Sequence, residues 1–344
     1  MPSLKEIKGR INSISSTLAI TSAMKMVASA KLQKAQMAIQ NMLPYERRLY
    51  SMLVDLMGAM NISAAASEDG SVRGSGSAER GFDQSGDRLS LSNRHDLAGM
   101  DGAYSLMAQR EVRKVAIVAF ASNSSLCGAF NSNVIREATA VINEYRASGL
   151  GDADITVYSV GRKMAEAMKK LGFPSPADFT KMSDSPSYEA ASALAQELLD
   201  GFVSGRFDKV ELVYNHYKST SSQPTTRQTY LPLSLADATA DLQAGKITDS
   251  ASETDTNRGA EPVGAPVVRQ GSPTTEDLIV EPSKEALIAT LLPKVIRLRV
   301  FTTLLDSVAA EHAARTVAMQ LATDNGNDLL QELTLEYNKG RQQK

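Results

Sequence analysis

Between Leu4 and Leu43 the chain holds no proline and a single glycine, Gly9. Apolar side chains recur at Ile7, Ile11, Ile14, Leu18, Ala28, Leu32, Ala35, Ile39 and Met42, in steps of three or four wherever the series is continuous. That is the period of a helix-packing seam. A helix of about forty residues is roughly 60 Å long. It cannot bury such a seam against one small domain, so it requires a partner helix. Ser3 is placed to cap it, with Glu6 at capping-box spacing. Pro44 is expected to kink or interrupt it, and Leu49 to Met57 to continue the rod.

The far end of the chain offers the partner. After Glu281, Pro282 and Ser283 a helical pattern runs from Lys284 towards Lys344. Its seam is Ile288, Leu291, Val295, Leu298, Leu305 and Val308, then Met319, Ala322, Leu329, Leu333 and Tyr337. Pro293 and Gly326 lie inside it, and an interior glycine costs about 1 kcal/mol relative to alanine. Between the two ends strands alternate with helices. Val115 to Ala121, Ile155 to Val160, Val210 to Tyr217 and Thr226 to Leu231 read as strands. Asn133 to Tyr145, Met164 to Leu171 (closed by Gly172) and Tyr188 to Val203 read as helices. Such alternation implies right-handed crossovers and a mostly parallel sheet. Two stretches rich in small and polar residues, around 61–104 and 244–277, read as mobile insertions. The fold class is therefore α/β plus long helices: an antiparallel coiled coil of the N- and C-terminal helices with a Rossmann-like α/β domain between them. The expected layout is a coiled-coil helix at 1–60, an insertion at 61–110, the α/β domain at 111–243, a second insertion at 244–280 and the second coiled-coil helix at 281–344.

Composition narrows the function. Aromatics make up 5% of the chain and tryptophan is absent, which suits long helices better than a β-rich fold. A net charge of −2 gives no reason to expect nucleic acid as partner. One cysteine, Cys127, permits neither an intrachain disulfide nor a Cys-rich zinc site, and fits a reducing compartment. No apolar run approaches the roughly 20 residues of a membrane span. The first residues carry no signal-like apolar core and no Arg/Ser-rich leader, so the chain is expected to begin directly with structure.

Nucleotide chemistry has no motif here. A phosphate loop needs G-x-x-x-x-G-K-[ST], and no such run exists. After Val115 to Ala121, where a dinucleotide fold would place G-x-G-x-x-G, the turn reads Ser-Asn-Ser-Ser-Leu-Cys-Gly-Ala-Phe-Asn. Gly128 alone is weak evidence, and a plain strand-to-helix connection is favoured. Cys127 as a nucleophile lacks a base marked nearby, and a buried or half-buried thiol is the better reading. His95, His216 and His312 are scattered, and no H-E-x-x-H spacing occurs. No catalytic, cofactor-binding or metal-binding residue is assigned.

Charge placement is more informative. Lys5, Lys8, Arg10, Lys25, Lys31, Lys34, Arg47 and Arg48 on the first helix face only Glu6 and Glu46. A solvated helix face is the ordinary meaning of such charges. The one-sided excess instead favours an acidic partner surface, approached through a field that salt screens.

Three stretches carry a family resemblance. Ile7-Lys8-Gly9-Arg10-Ile11-Asn12-Ser13-Ile14, Thr17, Ile20-Thr21-Ser22-Ala23-Met24-Lys25-Met26-Val27-Ala28 and Lys31 resemble the N-terminal helix of ATP synthase gamma subunits. Leu126-Cys127-Gly128 with Asn131 resembles the turn after that family's first strand. Glu311-His312-Ala313-Ala314-Arg315, Ala318-Met319, Ala322-Thr323-Asp324-Asn325, Tyr337-Asn338-Lys339 and Arg341-Gln342 resemble its C-terminal helix.

The resemblance implies a rotor shaft that performs no ATP chemistry itself. Its terminal helices would form a coiled coil inside a hexamer of alpha and beta subunits, and its α/β domain would sit near the epsilon subunit and the c ring. Proton-driven rotation would then cycle the catalytic sites through their states. The absence of a transit leader favours the cytoplasmic face of a bacterial inner membrane, although a processed organellar chain would look similar. Residue by residue, Met24 and Lys25 match positions that meet the acidic lever of beta. Arg315, with Glu311 four residues before it, matches a charged pair of the facing helix. Arg341 and Gln342 match beta contacts of the upper shaft, and Glu281 matches a foot position near the c ring. The chain departs from the pattern in the Ser-Asn-Ser-Ser turn, in the length of both insertions and in a C-terminal helix that stops at Lys344, several turns earlier than expected. The single cysteine excludes the two-cysteine switch of chloroplast forms. Two other readings compete: a Rossmann-like enzyme with helical appendages, and a coiled-coil adaptor with a basic face.

Overall fold

A computed structural model describes residues 4–59, 106–233, 281 and 283–342. Ser3, His95, the second expected insertion and all of the first except residues 106–110 lie outside them. The element order is α1 (Leu4–Ala59), β1 (Val115–Phe120), α2 (Phe130–Ala147), a 3-10 turn at Asp152–Asp154, β2 (Ile155–Val160), α3 (Arg162–Lys170), α4 (Thr180–Asp184), α5 (Tyr188–Val203), β3 (Lys209–Asn215), β4 (Thr225–Leu231) and α6 (Lys284–Gln342). Two compact units result. One contains Met1–Pro44, Val112–Tyr230 and Arg297–Lys344, the other Tyr45–Glu111 and Leu231–Ile296.

In the first unit the four strands run in the order β2-β1-β3-β4. β1 is parallel to both β2 and β3, with Val115 opposite Ile155 on one side and Lys209 on the other. Every residue of β1 is buried. This explains its unbroken apolar run, since a central parallel strand is covered on both faces. Each fully buried valine or isoleucine there contributes about 1.5–3 kcal/mol. The core around it draws Val134, Ala138 and Ile142 from α2 and Met164 and Met168 from α3. β4 follows β3 after a link too short for a parallel crossover. The His216 amide donates to the Pro224 carbonyl at 2.8 Å, closing a hairpin. The strand expected to reach Tyr217 stops at Asn215; beyond it the Tyr217 amide goes to Asp306.

One charged residue in the sheet went unnoticed in the sequence. Glu211, on β3, is 1% exposed. Its carboxylate takes Arg227 Nε, Lys209 Nζ and the Tyr145 hydroxyl, each at 2.7 Å. Burial alone would raise its pKa, but these three bonds together hold it below the ordinary glutamate range.

In the same unit α1 and α6 pair antiparallel. A Cβ on Gly340 would touch Leu4 and one on Gly326 would touch Leu18, while Thr323 meets Thr21 at 3.1 Å. Ile7, Ala28, Leu32 and Ala35 are buried along the seam. Leu329, assigned to the seam from its spacing, is 50% exposed. Its neighbour Leu330 is the more buried of the two, because the close approach at Gly326 sets the rotation of α6. The glycine thus supplies room for Leu18, whose Cδ2 would lie 2.7 Å from an added Cβ. Gly326→Leu should cost about 1–3 kcal/mol by overpacking, despite leucine's better helix propensity. Thermal unfolding checks this, and adding Leu18→Ala should return part of the loss.

α1 continues through Pro44, so the proline does not interrupt it. The carbonyl it orphans belongs to Gln40, and both residues are exposed, so water can take the lost bond's place. Pro293 likewise lies within α6. The α6 helix is capped by Ser283, whose Oγ accepts from the Ala286 amide at 3.1 Å. The short α4 was missed, since it lies among prolines and serines and is opened by Asp178, whose carboxylate accepts from the Thr180 amide at 2.9 Å.

The second unit buries Leu49, Tyr50, Leu53 and Leu56 of α1 with Ile288, Leu292, Val295 and Ile296 of α6. Within it the Leu233 amide donates to Leu106 O at 2.9 Å. No helix among the described residues is long and apolar enough to cross a membrane.

Candidate partner-contact site

The turn that leaves β1 decides what the α/β domain can hold. In open parallel sheets ligands bind beyond the carboxyl ends of the strands, where the chain winds in opposite directions from adjacent strands. Here the space beyond the carboxyl ends of β1 and β2 contains the protein's own side chains. Asn131 accepts from the Ser122 amide at 3.0 Å and donates to Ser124 O at 3.2 Å. Asn123 accepts from the Arg162 amide at 2.7 Å, occupying the N-terminus of α3 that a phosphate would need. Leu126 adopts φ +68° to pass through the turn and leaves its side chain 57% exposed. Cys127 is buried, with Asn131 Nδ2 3.2 Å from its sulfur. Burial pushes its thiol up, against the bond to Ser122 and the nearby Arg315 charge, so it is held protonated as a packing residue. Among the described residues no cluster of three or more His, Cys, Asp or Glu side chains could hold a metal ion.

The same turn is tied to α6 through Arg315. Its Nη2 donates to Ser124 Oγ and its Nη1 to Glu311 Oε1, each at 2.7 Å. The two side chains are only 11% and 9% exposed. Burial raises the Glu311 pKa, and the neighbouring Asp184 adds to this while Arg315 and Lys31 oppose it. His312 is pushed down to about 4 by burial, then by the Arg315 and Lys31 charges, so it is neutral at physiological pH.

An open cleft of about 300 Å³ lies where the three elements meet. Met24, Val27 and Lys31 of α1 line one side, His312 and Arg315 of α6 another, and Ser124 of the turn completes it. With Glu311 offsetting Arg315 and His312 neutral, Lys31 leaves the cleft one net positive charge. Lys25, adjacent to Met24, is half-buried on the seam side of α1, in step with Thr21 and Ala28. Before and after it on α1, Ile20, Met26, Val27 and Met37 are exposed apolar side chains.

The structure brings Met24 and Arg315 together, with Lys25 beside them. Arg341 and Gln342 are exposed in the last turn of α6, roughly 27 Å along the helix from Thr323. Glu281 is exposed in the second unit. Sequence reasoning did not find Ser124, which is 191 residues from its partner Arg315 and is not marked by any local signal.

The ATP synthase family model matches residues 3–344. Among curated proteins the chain is 46% identical over 343 residues to the ATP synthase gamma chain of Phocaeicola vulgatus, covering 100% of this chain and 95% of that one. It is 44% identical over 343 residues to the gamma chain of Bacteroides thetaiotaomicron, with the same two coverages. Among solved structures it resembles a chain of the Euglena gracilis mitochondrial ATP synthase rotor in rotational state 1, with a TM-score of 0.50, 18% identity and coverage of 99% and 98%. That likeness is one of fold.

Proposed function

The chain belongs to the ATP synthase gamma-chain family, and on that premise we propose that it is the non-catalytic central rotor subunit of an F-type synthase. In this reading proton-driven rotation of a c ring turns the chain inside a hexamer of alpha and beta subunits, with an epsilon subunit at its foot, on the cytoplasmic face of a bacterial inner membrane. The observation that carries it is the lengthwise pairing of α1 with α6, with the α/β domain joined to that pair through Ser124 and Arg315. The two helices are closed against each other within one chain, as a shaft requires. An adaptor would instead leave its terminal helices open to another chain. The self-filled crevice likewise leaves a Rossmann-type enzyme without its usual cofactor seat.

Rotation has an effect only if each orientation favours one conformation of each catalytic site. The residues we assign to that contact are Met24 and Lys25 beside the positively charged cleft, with Arg315 fixing its wall. An acidic loop of beta fits there by charge, and the exposed apolar residues around it fit a close-packed bearing. Arg341 and Gln342 would touch beta near the shaft's end, and Glu281 would face the c ring.

Lys25→Glu tests this directly. The helix should tolerate the change, since Glu and Lys have similar helix propensity. In the assembled synthase, ATP hydrolysis should persist while ATP-driven proton pumping falls about tenfold, a coupling loss of ~1.4 kcal/mol. Normal pumping would remove Lys25 from the mechanism. If the wild-type chain does not co-purify with the alpha–beta hexamer, the functional reading itself fails.

A further inference from the structure

A dipeptide at the end of β3 bonds to both long helices at once. One Asp306 carboxylate on α6 serves consecutive residues: Oδ2 lies 2.6 Å from His216 Nδ1, and Oδ1 accepts the Tyr217 amide at 2.8 Å. The Tyr217 hydroxyl accepts from Gln36 Nε2 of α1 at 2.6 Å. The Tyr217 ring packs against the buried cluster of Cys127, Phe130 and Ala310. The root of the loop is equally fixed. The His216 amide donates to Pro224 O at 2.8 Å, Thr225 Oγ1 to Asn215 Oδ1 at 2.7 Å, and Asn215 Nδ2 to Phe130 O at 3.0 Å.

Three rigid bodies are therefore joined at one point: the sheet with α2, the helix α6 and the helix α1. We propose that His216, Tyr217, Asp306 and Gln36 form a torque clamp, a set of positioning residues that stops the α/β domain from slipping around the helix pair when the two carry opposing loads. The proposal rests on the rotor reading and adds to it the place where load crosses from the domain to the helices. The Arg315–Ser124 link alone joins the domain only to α6. The clamp reaches α1 as well, so it resists rotation about either helix.

The clamp contains a histidine whose charge depends on its Asp306 partner. The charged groups acting on His216 are Asp306 from α6 and Lys218 from its own loop; the α1 and sheet residues bonded within the clamp, Gln36, Asn215 and Thr225, do not ionise. The Asp306 bond raises the His216 pKa, ahead of burial and Lys218, which lower it. A raised histidine pKa gives a contribution that is complete below the unfolded value of 6.5 and is lost as pH rises through the folded one. The clamp is therefore tighter at acidic than at alkaline pH.

Hydrogen exchange of the full chain at about pH 6 and about pH 8.5, corrected for intrinsic rates, reads the clamp at the Tyr217 amide. Wild-type protection should fall several-fold between these conditions. Asp306→Asn keeps an acceptor for the amide but no charge, so protection should persist and its pH dependence vanish. His216→Gln should be equally flat. Asp306→Ala should lose protection about tenfold at both pH values. In the assembled synthase Asp306→Ala should keep ATP hydrolysis while pumping fewer protons per ATP. A pH dependence in Asp306→Asn equal to wild type, or Tyr217 protection unchanged in Asp306→Ala, would overturn the clamp. Full pumping by Asp306→Ala would overturn its role in torque. Failure of the wild-type chain to join the hexamer would defeat the rotor reading instead, and the exchange experiment on the chain alone would still decide the clamp.

Discussion

Gly161→Ala should unfold the α/β domain well below the melting point of the wild-type chain. The residue joins β2 to α3 at φ +95°, a conformation that costs a side-chain-bearing residue about 1–3 kcal/mol. Strain is the smaller part of the effect. A Cβ there would lie 2.1 Å from Ala121 O and 3.3 Å from Ser122 O. Both are backbone atoms of the segment leaving the central strand, and that segment cannot yield cheaply. Ala121 donates to Val160 O at 2.8 Å, Lys163 donates to Ser122 O at 3.1 Å, and Ser122 is held by Asn131. Relieving the overlap means breaking several of these bonds, at about 1 kcal/mol each. The total comes to roughly 4 kcal/mol or more, and at 2–4 °C per kcal/mol the midpoint should fall by about 10 °C. Gly172→Ala is the control. Gly172 has φ +91° but no atom within 4 Å of an added Cβ, so it should show strain alone. Thermal unfolding followed by circular dichroism compares the two. Equal shifts would mean that conformation, and not close approach, is what Gly161 supplies.

That turn marks where the sequence could be read and where it could not. β1 was legible because a strand buried on both faces must be apolar throughout, and Val115 to Phe120 is. The helix pairing was legible because steps of three and four leave few alternatives over many turns. The period fails at adjacent leucines: Leu329 and Leu330 fit the spacing almost equally, and only the contact between Gly326 and Leu18 selects between them. Whether Pro44 would interrupt α1 was not legible, because the cost of a proline depends on whether the orphaned carbonyl reaches water, which burial decides and local sequence does not. The candidate site divides in the same way. Glu311 and Arg315 could be placed on one helix face from their spacing. That this face turns inward to Ser124 is a tertiary fact, as is the use of both Asp306 oxygens by the residues after β3. The buried Glu211 shows the limit most clearly: Lys209 lies two residues before it on the same face of β3, but Tyr145 and Arg227 come from α2 and β4 and are not announced by anything beside it in sequence.

Arg315→Met should give the second large effect, with a pH dependence that identifies its cause. Methionine keeps the helix propensity and much of the bulk of arginine. What disappears is the cation facing a carboxylate that is 9% exposed. Breaking a buried pair by removing one partner costs about 3–5 kcal/mol, because the remaining charge is left without compensation. Glu311 already has a raised pKa through burial, with Asp184 adding to it and Arg315 opposing it, so the variant should raise it further. The sign follows from proton counting. A carboxyl whose folded pKa exceeds its unfolded value of 4.5 binds more protons in the native state between the two values, so stability is lost as pH rises. Arg315→Met should therefore be weakest at neutral pH and recover as pH falls towards the unfolded value, whereas wild type should change less over the same range. Adding Glu311→Gln removes the stranded charge and should restore most of the loss at neutral pH. In the assembled synthase the single variant should also lower proton pumping per ATP, because Ser124 loses its tie to α6 and the wall of the cleft beside Met24 loosens. Denaturant titration of the single and double variants across this pH range is the measurement. A single variant as stable as wild type at neutral pH, or one whose deficit does not shrink on acidification, would show that the pair is not the joint between the turn and α6.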